Sequence, residues 1–219
     1  MKKMHDISLN RDVMVIHKAL AAKNRKLFDD NKVFAVNIMG AVGSGKTALI
    51  ELLCDKMKEV KIGVIAGDVI SEVDAKRLRK KKKPVVGINT GKECHLDAHL
   101  VDHALEKLPL AGLDFLFIEN VGNLICPVDF ELGSHLNVVV VSVSEGDDTI
   151  EKHPAIFLTA DAALINKIDI AKAVDANVDK MVADAKKINP GLQVIPVSIK
   201  KDVGVDDFIR WLKDARGKN

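Results

Sequence analysis

Seven short apolar runs, rich in β-branched residues, recur along the chain, and segments with helical spacing separate them. Several of these runs are apolar at nearly every position, which is typical of strands buried on both faces of a parallel sheet. Such strands alternating with helices predict an α/β fold, an open and mostly parallel sheet with helices on both faces. The predicted strands are 33–39, 61–67, 84–88, 113–119, 136–144, 162–166 and 193–198.

An extra helix is predicted ahead of the first strand, within residues 1–30. Its apolar positions share one side, as in an amphipathic helix that packs on a core. They are Val13, Ile16, Leu20 and Leu27. Helical spacing also predicts helices within 47–60 and 96–108. No internal repeat or low-complexity linker divides the sequence, so we expect one domain over residues 1–219.

Composition narrows the classes of function. The net charge of +2 implies no general attraction to nucleic acid, and 4% aromatic residues with no tyrosine offer little to stack on bases. No apolar run is long enough to cross a bilayer, and the first residues lack the apolar stretch of a signal peptide. Three widely spaced cysteines do not make a disulfide framework. We therefore expect a cytoplasmic protein that binds neither nucleic acid nor membrane.

The basic run KRLRKKKKP, residues 76–84, has two interpretations. The favoured one is a solvated helix end ahead of a strand. The other is a docking patch for an acidic partner. Nucleic acid is disfavoured as that partner, because no aromatic residue lies among the basic ones.

The segment GAVGSGKT, residues 40–47, follows a predicted strand and opens a predicted helix. This is the context that a phosphate-binding P-loop requires, because its glycines let backbone N–H groups point at phosphate oxygens near a helix N-terminus. Lys46 is expected to reach the β- and γ-phosphates, and the Thr47 hydroxyl to bind Mg²⁺. The fold is therefore predicted to be a P-loop NTPase. The residues predicted to bind nucleotide here are Gly40, Gly43, Ser44, Gly45, Lys46, Thr47 and Ala48.

Residues 166–169, NKID, predict that the base is guanine and the nucleotide GTP or GDP. The Asp169 carboxylate can accept from guanine N1–H and the exocyclic amine together, whereas adenine would leave it without these donors. Lys167 is expected to lie over the base, and Asn166 to connect this loop to the phosphate side. A backbone N–H of Ser198 or Ile199, in the later VSIK segment, is expected to meet the guanine O6.

The hydrolytic side of the nucleotide is predicted at 119–122, where ENVG replaces the D-x-x-G of common GTPases. Glu119 is expected to bind Mg²⁺ directly or through water, with the Gly122 N–H near the γ-phosphate. Asp68 and Asp74 could serve Mg²⁺ or the attacking water, with Asp74 favoured; a helix cap is the plainer interpretation of either. No water-positioning glutamine or arginine finger is evident, so we expect slow hydrolysis until a partner or second subunit completes the site. The predicted catalytic residues are Lys46, Asp74 and Glu119.

A candidate metal site combines Cys94 and His95, adjacent in GKECHLDA, with Cys126. Thiolate and imidazole suit Zn²⁺ or Ni²⁺, but helical neighbours diverge by about 100°, so both can bind one ion only from a loop or a helix start. One chain supplies three ligands, or four if His99 joins, and water or a second chain would complete the set. Packing and a hydrolase Cys–His pair are the alternatives, the latter disfavoured because adjacent residues rarely face each other. Cys54 is expected to be a small buried hydrophobe.

The phrases GAVGSGKT, GKECHLDAHLV, ENVGNLICP, SVSEGDD and NKID, in this order over almost the whole chain, resemble the HypB family, the nickel-insertion GTPases of hydrogenase maturation. The resemblance implies a homodimer formed through GTP and delivery of Ni²⁺ to the large subunit of NiFe-hydrogenase, with a nickel chaperone as partner. It maps the family's interface metal site onto Cys94, His95 and Cys126. It maps the groups that bind Mg²⁺ and phosphate onto Lys46, Thr47 and Glu119. Unlike some members, this chain has no cysteine before Cys54 and no histidine-rich stretch, which argues against nickel storage.

A switch is the mechanism that this resemblance suggests. GTP and Mg²⁺ would order the segments 68–74 and 119–122, and segment 119–126 would carry the change to the metal ligands. Two rivals remain. One is a urease-maturation GTPase of the same class, which the phrases around Cys94 and Cys126 disfavour. The other is a regulatory nucleotide-binding scaffold with a structural zinc, in a closed site that is filled whatever the nucleotide.

Overall fold

The computed structural model describes residues 3–68, 73–91 and 93–218, apart from the side chains of 3–14, 68 and 73. In this part of the chain, seven strands form one parallel sheet in the order β3-β2-β4-β1-β5-β6-β7. Each strand agrees with a predicted apolar run to within two residues at either end. The strands are β1 Phe34–Met39, β2 Ile62–Asp68, β3 Val85–Asn89, β4 Phe115–Glu119, β5 Leu136–Ser142, β6 Ala162–Asn166 and β7 Gln193–Pro196.

Helices cover both faces of the sheet, which confirms the predicted architecture. One apolar cluster joins α2, α3 and α8 to the first face, and two clusters join α1, α4, α6 and α7 to the other. The described helices are α1 Lys3–Asp30, α2 Lys46–Lys56, α3 Val73–Arg79, α4 Ala98–Leu105, α5 Thr149–Lys152, α6 Pro154–Thr159, α7 Val178–Ile188 and α8 Val205–Gly217. Three short 3₁₀ segments lie at Cys126–Asp129, Val143–Glu145 and Ile168–Val174.

The leading helix α1 is present, and Leu27 of the predicted set packs half-buried against the core, but the fully buried positions of the helix are other ones. Ile16 is 59% exposed, whereas Ala21, Asn24 and Phe28 are buried. The buried positions follow helical spacing and include a polar residue, so apolar periodicity alone missed them. Asn24 is satisfied because its Nδ2 donates to two backbone oxygens, those of Ala98 and Leu132, at 2.9 and 3.2 Å. The side chain of Val13 lies outside the described residues.

Two further helix boundaries differ from the prediction. The helix α2 ends at Lys56, earlier than expected. The helix α4 begins only at Ala98, because the Asp97 carboxylate caps it by accepting from the Leu100 N–H at 2.8 Å. The residues just before Asp97 therefore belong to a loop. In the described part of the chain, no helix combines the length and apolar character needed to cross a membrane.

The basic run forms the exposed end of α3 and the turn after it, as the favoured interpretation predicts. Arg77 forms an ion pair with Glu51, and Lys81 with Asp55. Both pairs connect this end of α3 to the neighbouring α2. A docking role for the run stays a prediction.

Parallel strands place the predicted loops at one edge of the sheet. In the register of β1 and β4, Ile38 lies opposite Glu119, and in that of β5 and β6, Ser142 lies opposite Asn166. The P-loop, the ENVG segment and the NKID segment therefore all follow the carboxyl ends of strands in the same parallel sheet, where open α/β sheets bind ligands.

Candidate functional site

The P-loop turns from β1 into α2 at a point where only glycine fits. Gly45 has a φ of +112°, in the left-handed region, and a Cβ there would clash with the Asn166 amide. The Asn166 Nδ2 instead donates to the Ser44 carbonyl oxygen at 2.7 Å. This bond joins the NKID loop to the P-loop, which is the connection that the sequence predicts for Asn166.

Lys46 is buried at the start of α2. Its Nζ donates to the carbonyl oxygens of Gly40 and Ala41, at 3.0 Å each. Burial lowers the pKa of this ammonium group, and the nearby Glu119 carboxylate opposes that change. The lysine thus makes its hydrogen bonds to backbone oxygens, acceptors of the same kind as the phosphate oxygens it is predicted to meet.

A cavity of 380 Å³, the phosphate cavity, opens between the P-loop, the end of β4 and the start of α3. Gly40 and Ser44 are not among the described residues that line it: the Gly40 carbonyl accepts from the Asn123 N–H, and Ser44 is fully buried. The side chain of Asp68 lies outside the described residues. The predicted residues that the cavity does bring together are Gly43, Gly45, Lys46, Thr47, Ala48, Asp74, Glu119 and Gly122.

Glu119 and Thr47 meet inside this cavity. The Thr47 hydroxyl donates to Glu119 Oε1 at 2.6 Å, while Oε2 is buried without a hydrogen-bond partner among the described residues. Burial raises the pKa of Glu119 to about 7, against the bond from Thr47 and the charge of Lys46. A buried, unpaired carboxylate oxygen next to a hydroxyl offers the hard oxygen ligands that Mg²⁺ prefers. These two residues therefore fit that ion.

A second cavity, of 560 Å³, adjoins the P-loop and is bordered by Asn166, Lys167 and Asp169. The Ser198 hydroxyl donates to Asp169 Oδ1 at 2.6 Å. This bond lowers the pKa of Asp169, so the carboxylate is ionised and its orientation is fixed. The Lys167 Nζ donates to the Ser144 hydroxyl at 3.1 Å. This second cavity thus has the carboxylate acceptor that recognition of guanine needs.

The structure does not test the predicted contact between guanine O6 and a backbone N–H of Ser198 or Ile199. The Ser198 N–H donates to the Val203 carbonyl oxygen at 3.0 Å, and the Ile199 N–H donates to Asn166 Oδ1 at 3.2 Å. Both donors are therefore engaged within the protein. Their contact with the base stays a prediction, while the Ser198 side chain has a role that the sequence did not indicate.

Three potential metal ligands converge beside the phosphate cavity. One ligand atom each of Cys94, His95 and Cys126 lies within 4.8 Å of the others. The two Sγ atoms are 2.9 Å apart, and Cys94 Sγ lies 3.9 Å from His95 Nδ1. Cys94 and His95 precede α4 in a loop, which is the condition under which neighbours can share an ion. The group has two soft thiols and one imidazole, which suit Ni²⁺ or Zn²⁺.

The surroundings of this group distinguish its members. Cys94 is exposed, whereas the His95 ring is stacked on Phe130, with ring centroids 3.7 Å apart. Burial lowers the pKa of His95, so its imidazole is neutral and able to bind a metal ion. His99 is not part of the group among the described residues; its ring packs on His103 in α4, with centroids 4.6 Å apart. A fourth ligand from His99 is therefore absent in this arrangement.

Cys54 lies in the apolar cluster that joins α2, α3 and α8 to the first face of the sheet. Burial raises the pKa of its thiol to about 11. This confirms the prediction that Cys54 is a packed hydrophobe.

One segment, 119–126, borders both the phosphate cavity and the metal group. The backbone N–H of Asn123 donates to the Gly40 carbonyl oxygen at 3.0 Å. Its side-chain Nδ2 donates to the Cys94 carbonyl oxygen at 3.3 Å. Asn123 therefore contacts both the P-loop and the loop that carries Cys94 and His95, here called the metal loop.

Comparison with known proteins identifies the family of this chain. Residues 34–196 match the family model of the CobW/HypB/UreG nucleotide-binding domain. A protein of Methanocaldococcus jannaschii, named "Probable hydrogenase maturation factor HypB", is 55% identical over 210 residues, which are 95% of each chain. The chain belongs to the HypB family.

Two solved HypB structures have the same fold. HypB from Archaeoglobus fulgidus is 51% identical with a TM-score of 0.86, over 92% of this chain and 99% of that one. HypB from Helicobacter pylori, crystallised in complex with nickel, is 36% identical with a TM-score of 0.89, over 93% of this chain and 96% of that one. The resemblance drawn from the sequence and the P-loop fold are thus both confirmed.

Two features of this HypB-family site were missed by sequence reasoning. Arg77 lines the phosphate cavity, although the basic run that contains it predicted only an exposed surface. Asn120 is fully buried, and its Oδ1 accepts from the Leu96 N–H at 2.9 Å, next to the metal loop. For the position of Arg77 in the cavity, the one local signal was its spacing three residues after Asp74, which puts both residues on the same side of a helix. Nothing local indicates the second.

Proposed function

We propose that this HypB-family protein is a GTPase that binds Ni²⁺ at Cys94, His95 and Cys126 and delivers it during the maturation of NiFe-hydrogenase. The observation that carries the proposal is segment 119–126, which contributes Glu119 to the phosphate cavity and Cys126 to the metal group. A change at the nucleotide therefore has a short covalent path to a metal ligand. The nickel complex of the related Helicobacter pylori protein supports nickel as the cargo.

The proposed reaction is the hydrolysis of GTP. The oxygen of a water molecule bonds to the γ-phosphorus, the bond from that phosphorus to the β–γ bridging oxygen breaks, and GDP and inorganic phosphate leave with the water's protons on phosphate and in solvent. Lys46 exchanges the Gly40 and Ala41 carbonyls for phosphate oxygens, and Asp74 orients the water. Thr47 and Glu119 would hold Mg²⁺, which would supply positive charge against the negative charge of the phosphates.

The switch joins hydrolysis to the metal. GTP orders segment 119–126, and Asn123 conveys that order to the loop of Cys94, so the metal group differs between the GTP and GDP forms. Three ligands leave coordination positions for water or for a second subunit, as an exchangeable site requires. A nickel chaperone supplies the ion, and the hydrogenase large subunit receives it.

A nucleotide-dependent homodimer is part of the proposal. Val42, in the P-loop, is 83% exposed, and Ile125, beside Cys126, is 65% exposed. Exposed apolar side chains next to both sites favour a face that a second copy covers. In such a dimer the metal groups of two chains would complete each other's coordination.

A structural zinc site is the second candidate, because two thiols and an imidazole bind Zn²⁺ as readily as Ni²⁺. A site of that kind would be filled equally in both nucleotide forms. The exposure of Cys94 favours an exchangeable ion instead.

Replacing Asp169 tests the nucleotide half of the proposal. D169N replaces one of the two carboxylate oxygens that would accept from guanine N1–H and the amine with an NH₂ donor. We therefore expect the preference for GTP over xanthosine triphosphate to fall by roughly 100-fold or more. Competition binding and phosphate release would measure it. The matched control is D175N, which removes the same charge from an exposed position at the end of the following 3₁₀ segment. Unchanged GTP preference in D169N would refute guanine recognition at this site.

A further inference from the structure

Among the described residues, two cationic side chains line the phosphate cavity, and one of the two belongs to the P-loop. Lys46 is that one; Arg77, from α3, is the other. The cavity also contains the carboxylates of Glu119 and Asp74. Of the described side chains here, two are carboxylates and two are cationic, so the guanidinium supplies one of the two positive charges that the protein offers to a bound phosphate.

The Arg77 guanidinium is held between two carboxylates. Its Nη2 donates to Glu51 Oε2 at 2.6 Å, across to α2, and its Nη1 lies 3.4 Å from Asp74 Oδ1 on the same helix. The side chain is 44% exposed, so it is not locked into the core. A guanidinium has five N–H donors in a planar fork, a geometry that suits phosphate as well as carboxylate.

We propose that Arg77 recognises the terminal phosphate of GTP, exchanging its contact with Glu51 for phosphate oxygens. GDP lacks that phosphate, so in the GDP form the guanidinium stays on Glu51. Arg77 is thus the residue by which this site distinguishes GTP from GDP. The inference rests on the proposed binding of guanine nucleotides and adds to it the group that reads the nucleotide state.

The exchange predicts opposite effects for the two members of the pair. Glu51 competes with phosphate for the guanidinium, so its removal frees Arg77, whereas removal of Arg77 deprives the phosphate of its partner. An ion pair that only braced α2 against α3 would behave differently, because losing either member would disturb the cavity in the same direction.

The experiment measures dissociation constants of GDP and of a non-hydrolysable GTP analogue, with Mg²⁺, for the wild type, R77Q, E51Q and K76Q. We expect R77Q to lower the affinity for the analogue by roughly tenfold or more and the affinity for GDP by less than about threefold. For E51Q we expect an analogue-to-GDP affinity ratio that is unchanged or higher. K76Q removes one positive charge from an exposed position of the same helix and serves as the control that leaves both affinities unchanged.

The outcomes separate this inference from the proposed function. If the wild type binds neither nucleotide, the proposed function fails and the role of Arg77 fails with it. If the wild type binds both and R77Q weakens them equally or not at all, only the role of Arg77 is overturned. A lowered ratio in E51Q, equal to that of R77Q, would likewise overturn it, because the pair would then be a structural brace. Thermal melts verify that each variant is folded.

Discussion

The buried carboxylate of Glu119 opposes folding when it is ionised. Only one of its oxygens has a hydrogen-bond partner within the described residues, the Thr47 hydroxyl. Burial therefore raises its pKa to about 7 from an ordinary value of 4.5. The proposed Mg²⁺ would remove this penalty, since a cation satisfies the unpaired oxygen. The residue is thus stabilised by its ligand rather than by the protein alone.

A pH-dependent stability follows from this shift. The folded pKa lies above the unfolded one, so between about pH 4.5 and 7 the folded chain holds more protons and loses stability as pH rises. E119Q mimics the protonated form and lacks this loss. We expect E119Q to gain about 2 kcal/mol relative to wild type between pH 5 and pH 8, without nucleotide or Mg²⁺. Urea unfolding at the two pH values measures it, and a constant difference would contradict the shift.

Individual residues were predictable where chemistry follows a strand in the sequence. Lys46, Thr47 and Asp169 stand in motifs whose spacing fixes their place. The position of Arg77 in the phosphate cavity was not predictable, because it depends on how α3 packs against α2. The hydroxyl of Ser198 is a similar case, since its contact with Asp169 joins two loops 29 positions apart.

Segment 119–126 is the element that joins the two halves of the site. Its first residue is the last of β4, and its last residue opens a 3₁₀ segment. Between them, Asn123 bonds to the P-loop through its backbone and to the metal loop through its side chain. The same side chain also accepts from the Ile125 N–H at 2.9 Å, so it shapes the segment as well as joining it to the metal loop.

N123A tests this connection. Alanine removes both the bond to the Cys94 carbonyl and the bond from the Ile125 N–H, so the metal loop should respond less to nucleotide. The ratio of Ni²⁺ affinities in the GTP-analogue and GDP forms should therefore shrink by about threefold or more. Affinity in the GDP form should change less than that. Competition with a chromogenic chelator measures both values. N31A removes an amide that bonds only locally, to the Leu27 carbonyl, and serves as control. An unaltered ratio in N123A would exclude this route of coupling.

Strands were more predictable than helix boundaries. Each strand is an apolar run with polar ends, a signal that needs no knowledge of the partner. The start of α4 instead depends on the capping bond of Asp97, which decides that Cys94 and His95 are in a loop. Apolar spacing continues through that point, so the sequence left the convergence of the metal ligands open. The position of Cys126 next to Cys94 and His95 depends on where β4 lies in the sheet, which the sequence alone does not show.

At the scale of the whole molecule, the parallel sheet explains why the proposed nucleotide and metal sites share one edge of the sheet. β1 is flanked by β4 and β5, so the P-loop lies between the segments that follow those strands. The α/β class, the strand set and the family were all accessible from the sequence. The proposed pairing of two copies could not be read from the sequence pattern, because in one chain its support is the exposure of apolar residues such as Val42 and Ile125.

Native mass spectrometry of the protein with limiting Ni²⁺ and Zn²⁺, in GDP and in a non-hydrolysable GTP analogue, tests the central claim most directly. One spectrum reports subunit number and bound metal together. The account predicts a dimer in the analogue whose metal content differs from that of the GDP form, loss of that metal in C126S, and its retention in C54S, where a buried thiol is replaced. A fixed zinc on every chain, with the same subunit number in both nucleotides, would contradict a nucleotide-switched nickel carrier.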